Sequence, residues 1–141
     1  MSDSQVHLDG VISAAKRELK TWGVKFKPEF KGELLEALRS GDYKQHQGRL
    51  RFGDGFCCLG VSCDILNEEG WEGVETGAGY YFSEDDHPKN VTFPPKPIVA
   101  KMFERSVDGS RYYGQVMNRL AKMNDSGASF EQIADVIEEM L

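Results

Sequence analysis

The segment 57–66 constrains this chain more than any other. Cys57, Cys58, Leu59, Val61, Cys63, Ile65 and Leu66 leave it apolar almost all round. A helix of that kind has no broad face to turn to water, so other elements must enclose it on most sides. Gly60 lowers its helix propensity but lets another backbone approach closely. The segment therefore reads as the central helix of a domain. A chain of 141 residues suffices to wrap it, being one domain's length and able to bury roughly two-thirds of its surface.

The wrapping elements follow from apolar spacing. Residues 5–22 place Leu8, Val11, Ile12, Ala15, Leu19 and Trp22 at helical intervals, and Gly23 stops the run. A second helix starts at Pro28, carries Phe30, Leu34, Leu35 and Leu38, and ends before Gly41. Shorter helices are expected at 97–103 and 112–123. The last helix is announced by Ser129 and Gln132, which have capping-box spacing, and then by Phe130, Ile133, Ala134, Ile137 and Leu141. Between them, the alternating run 49–52 and the pair Asp54-Gly55 suggest a hairpin. Residues 71–74, 79–82 and 91–93 suggest further short strands, with a polar loop at 83–90 and a turn at 106–110. The expected fold is α+β: a single compact domain of about five helices with a small antiparallel sheet or hairpins. Residues 1–27 form its N-terminal helix and linker, and 28–141 its core.

Charge is distributed in blocks. Six basic residues lie within 16–31, eight acids and no Lys or Arg within 64–86, six basic residues within 96–122, and five acids without a base within 124–141. The net charge of −6 excludes non-specific duplex binding, which is driven by phosphate neutralisation. Opposed blocks also permit pairing between copies, so a homo-oligomer is expected. No apolar run reaches the length of a membrane span, and no basic, apolar leader opens the chain. The three cysteines lie within seven residues and are odd in number, which fits reduced thiols in a cytoplasm.

Four sets of residues could carry function. Tyr43, Lys44, Gln45, Arg49 and Arg51, with His46 among them, mix an aromatic ring, amide and guanidinium groups just after a helix end. Such a set stacks a base and clamps phosphate oxygens. Tyr80 and Phe82 point to one side of a strand and could add stacking surface. Asn124 and Asp125, in a natural Asn-Asp-Ser-Gly turn, would line a pocket floor if they abut the central helix. Cys57 or Cys58 at a helix N-terminus could act as a nucleophile, but none of His7, His46 and His87 sits in a catalytic motif. Cys58 and Cys63 lack a second ligand pair, so neither a metal nor another cofactor is expected.

Three blocks resemble a family of small bacteriophage and prophage proteins: 37–45 (Ala-Leu-Arg-Ser-Gly-Asp-Tyr-Lys-Gln), 56–64 (Phe-Cys-Cys-Leu-Gly-Val-Ser-Cys-Asp), and Asn124-Asp125-Ser126-Gly127 followed by Phe130, Ile133, Ala134 and Ile137. The resemblance implies an accessory protein acting against host defence. Together with the basic-aromatic set, it suggests a non-enzymatic binder that sequesters a small anionic, nucleotide-derived immune signal. One alternative is an inhibitor that presses the acidic 64–86 stretch onto a host defence or nucleic-acid-handling protein. The other is a cysteine-dependent enzyme.

Overall fold

The computed structural model describes residues 3–66, 71–74, 79–82, 94, 96–105 and 112–141. Among these lie six helices: α1 (Asp3–Trp22), α2 (Pro28–Ser40), α3 (Cys58–Leu66), α4 (Lys96–Met102), α5 (Tyr113–Asp125) and α6 (Phe130–Met140). Five short strands accompany them: β1 (Lys44–Gln45), β2 (Arg51–Phe52), β3 (Gly55–Phe56), β4 (Trp71–Val74) and β5 (Gly79–Phe82). The architecture is the α+β domain that the spacing predicts. The expected strand 91–93, loop 83–90 and turn 106–110 lie outside the described residues.

The sheet differs from expectation in two respects. β2 and β3 form the antiparallel hairpin, but β1 joins the other side of β3 in parallel, pairing Lys44 with Gly55 and Gln45 with Phe56. The hairpin turn is Gly53-Asp54, not Asp54-Gly55. Gly53 takes a φ of 61°, the left-handed value that the first centre of such a turn requires. A second two-stranded sheet pairs β4 with β5 antiparallel, and β5 runs close to β2.

α3 sits at the centre. Cys58, Leu59, Val61 and Cys63 are buried against α2, α4 and α5. Its first turn meets the chain just before β2: the Cys57 N–H donates to the Leu50 carbonyl at 3.2 Å. A Cβ on Gly60 would lie 1.7 Å from that same oxygen, so only glycine fits. α1 adds Leu8, Val11, Ala15 and Leu19 to the core against α5 and α6. The linker after it is tied down by backbone bonds from Phe26 N to Leu141 O (3.0 Å) and from Lys27 N to Met102 O (2.9 Å).

The capping box of α6 is complete, with Ser129 and Gln132 each bonding the other's backbone N–H. The helix's acidic face is met from within the same chain. Arg39 pairs with Asp135 (2.8 Å) and Glu138 (2.5 Å), Lys16 pairs with Glu139 (3.0 Å), and Lys25 and Lys31 donate to the carbonyls of Met140 and Glu138. The basic block 16–31 and the acidic block 124–141 thus engage each other intramolecularly.

Candidate functional site

The segment from Tyr43 to Phe56 is held by polar bonds from α5. Asn124 is fully buried in the last turn of α5. Its Oδ1 accepts from Gln45 Nε2 (2.9 Å) and from the Cys58 N–H (3.2 Å), while its Nδ2 donates to the His46 carbonyl (2.8 Å). Gln45 Nε2 also donates to the Ala128 carbonyl at 2.7 Å, and Asp125 accepts the Gly48 N–H at 2.8 Å. Gln45, Asn124 and Asp125 therefore meet beside the central helix. These bonds run to the protein itself: they fix 45–48 against the start of α3, with Asn124 supplying a partner for an orphan N–H of its first turn.

The strand register divides the remaining residues between two faces. Arg51 stands opposite Phe56, and Phe52 opposite Gly55, so neighbouring side chains on β2 point in opposite directions. On one face, the Arg51 guanidinium lies 5.2 Å from the Phe56 ring centroid, and Tyr43 meets that ring edge-on at 5.1 Å. The Tyr43 hydroxyl donates to Asp64 at 2.5 Å. Burial, reinforced by Asp64, pushes the phenol up to about 12. On the other face, the His46 ring sits 5.2 Å from Phe52, and the Arg49 guanidinium lies 5.3 Å over the same ring. Gly55 makes room for this arrangement, since a Cβ there would come within 2.9 Å of the His46 Cβ.

This second face is the exposed one. Phe52 keeps 39% of its surface in water, and Arg49 has no carboxylate partner among the described residues. Lys44 is spent at the rim on Asp54, at 3.7 Å. Tyr80 and Phe82 lie on β5 opposite Gly73 and Trp71. Their backbone runs near β2, while their side chains lie outside the described residues. Phe52 thus joins Arg49 and His46 although the basic-aromatic reading of the sequence centred on Tyr43.

Residues 26–141 match a family model described as a domain of unknown function, DUF8296. The chain belongs to the DUF8296 family. No curated protein and no solved structure matches it. The DUF8296 segment contains both faces of the β1–β3 sheet and the whole Asn124 network, and α1 packs onto it from outside the matched range.

Two other features of this DUF8296 chain bear on chemistry. The thiols of Cys57, Cys58 and Cys63 are all buried. Burial pushes Cys57 up to about 11 and the other two well above the ordinary thiol range. A thiol held protonated is a poor nucleophile at neutral pH. Separately, a groove of about 450 Å³ opens between the start of α2, Leu66 and α4. Lys27 and Lys101 line it together with Glu29 and Glu33, so its rim offers an anion no net charge. Six of the eight acids in the stretch 64–86 lie outside the described residues. Among those described, no helix is long and apolar enough to cross a membrane.

Proposed function

We propose that this protein binds a small anionic, nucleotide-derived ligand on the face formed by His46, Arg49 and Phe52, and holds it without chemical change. In that role it acts as a bacteriophage accessory protein that sequesters a host immune signal. The observation carrying this reading is a guanidinium that has no carboxylate partner among the described residues and is laid over an exposed aromatic ring. A base stacked on such a ring contributes about 1–3 kcal/mol. A guanidinium beside it matches phosphate oxygens in a fixed fork. The Asn124 network supports the same reading, because it fixes the backbone of the face before any ligand arrives. Sequestration needs these contacts and no general base. The face is open on one copy, and a second copy packed over it in a homo-oligomer supplies the enclosure.

The test is a thermal-shift screen against cyclic nucleotides, ADP-ribose derivatives and mononucleotides, with Arg49→Ala and Phe52→Ala alongside. A ligand at about 100 times its dissociation constant adds roughly 2.7 kcal/mol, a rise of several degrees for a domain this size. The expected result is a selective rise, lost in both variants, with the ligand recovered intact. A ligand recovered altered overturns sequestration in favour of catalysis. No shift with any compound overturns the reading and turns attention to the acidic stretch 64–86.

A further inference from the structure

We infer that the groove between the start of α2, Leu66 and α4 binds a short apolar peptide by its two free termini. It shares no lining residue with the face around Phe52. Its volume of about 450 Å³ lies in the usual range for small organic ligands, about 300–1,000 Å³. Phe30 and Leu66 supply an apolar floor, the first buried and the second half-buried. Four exposed charged residues, Lys27, Glu29, Glu33 and Lys101, line the rest.

These charges fall into two sets. The Lys27 N–H donates to the Met102 carbonyl at 2.9 Å, which brings Lys27 beside Lys101. Glu29 and Glu33 stand one turn apart on the same side of α2. None of the four has a side-chain partner among the described residues, and no ion pair closes from one set to the other. Lys25 and Lys31, by contrast, are engaged with carbonyls of α6. Two unpaired charges of each sign favour neither an anion nor a cation. They favour a ligand that carries one of each, held apart by an apolar body. A free amino acid holds both on one carbon. A peptide of two or three residues separates them by up to about 3.3–3.6 Å more per residue. Its carboxylate then meets Lys27 and Lys101, its ammonium meets Glu29 and Glu33, and its side chains cover Phe30 and Leu66.

The test is an NMR titration of the full isotope-labelled chain with leucyl-phenylalanine, alongside its N-acetyl and C-amide forms. The free dipeptide should give saturable shifts at 27–33, 66 and 101, and none at 46–52. Capping either end should weaken binding by about two- to fivefold, the scale of one exposed ion pair. Lys101→Gln should reproduce the loss seen with the C-amide and cost little further when the C-amide is itself the ligand. Glu33→Gln should behave likewise toward the N-acetyl form. Both side chains are exposed, so neither change removes a core contact. Arg49→Ala should leave the titration unchanged, which separates this site from the nucleotide-binding reading.

Absence of saturable shifts at the groove residues overturns the proposal. Equal affinity for free and capped peptides also overturns it, since an apolar contact without charge recognition is all that remains. Shifts centred on 46–52, or binding lost in Arg49→Ala, place the peptide on the other face and overturn it too. Should either groove variant fail to fold, the three peptides on the unmodified chain decide the matter.

Discussion

At the scale of single residues, Asn124 is where the most depends on one side chain. Truncation to alanine leaves the buried Cys58 N–H without its acceptor and the partly buried His46 carbonyl without its donor, and removes one of the two acceptors of Gln45. Each unsatisfied buried group costs about 1–3 kcal/mol, so Asn124→Ala should destabilise by roughly 2–4 kcal/mol. Urea denaturation with the midpoint and slope compared to the unmodified protein checks this. A loss below about 1 kcal/mol would mean that water replaces the amide. The sequence shows Asn124 only as the head of an Asn-Asp-Ser-Gly turn, which accounts for Gly127 and its φ of 101°. Its partners lie 66 to 79 residues away, and no local pattern reports them. Phe52 was hidden for a different reason. Leu50 is fully buried and Phe52 exposed, although a continuous strand would put both on one face. The strand begins only at Arg51, and the Leu50 carbonyl accepts the Cys57 N–H just ahead of α3.

At the scale of elements, α3 shows what an all-round apolar helix implies about titration. The thiols of Cys58 and Cys63 within it, and of Cys57 just ahead of it, are held protonated in the folded state, above where they titrate in an unfolded chain near 8.5. As pH rises past that value the unfolded chain releases its thiol protons while the native one keeps them. Stability is therefore complete below about pH 8.5 and falls from there toward about 11, where Cys57 titrates, by up to about 1.4 kcal/mol per pH unit per thiol. Urea midpoints measured across this range should fall accordingly, and less steeply in Cys63→Ala. An unchanged midpoint would place the thiols in contact with water. Elements with a strong period were legible: the stripes of α1 and α2 and the capping box of α6 appear as spacing predicts. β1 was not. Two residues, Lys44 and Gln45, carry no alternation, and beside their parallel pairing with β3 the Gln45 side chain reaches α5, 79 residues away.

At the scale of the whole molecule, α1 is the element outside the family match whose removal the core should feel. Leu8, Val11 and Leu19 are buried against α5 and α6, and each contributes about 1.5–3 kcal/mol. A domain has about 5–15 kcal/mol in total. Trp22 also stacks on Tyr112 at 5.9 Å, and Glu18 pairs with Arg119. A chain beginning at Val24 should therefore melt far below the full chain or bind hydrophobic dyes as a loosened state. Calorimetry and dye fluorescence distinguish these outcomes, and full-length melting behaviour would show that α1 is dispensable. The charge blocks were visible in the sequence, but their destination was not. Spacing gives no clue that Lys16, Lys25, Lys31 and Arg39 all converge on α6 of the same chain.

The Asn124 network also sets a timetable during synthesis. Gln45 leaves the ribosome 79 residues before Asn124, which at about 5–20 residues per second is a delay of roughly 4–16 s. Over that interval no bond can yet join 45–48 to α5, and the nascent segment carrying Arg49 and Phe52 lacks its anchor. The face acquires a fixed shape only once Asn124 has followed.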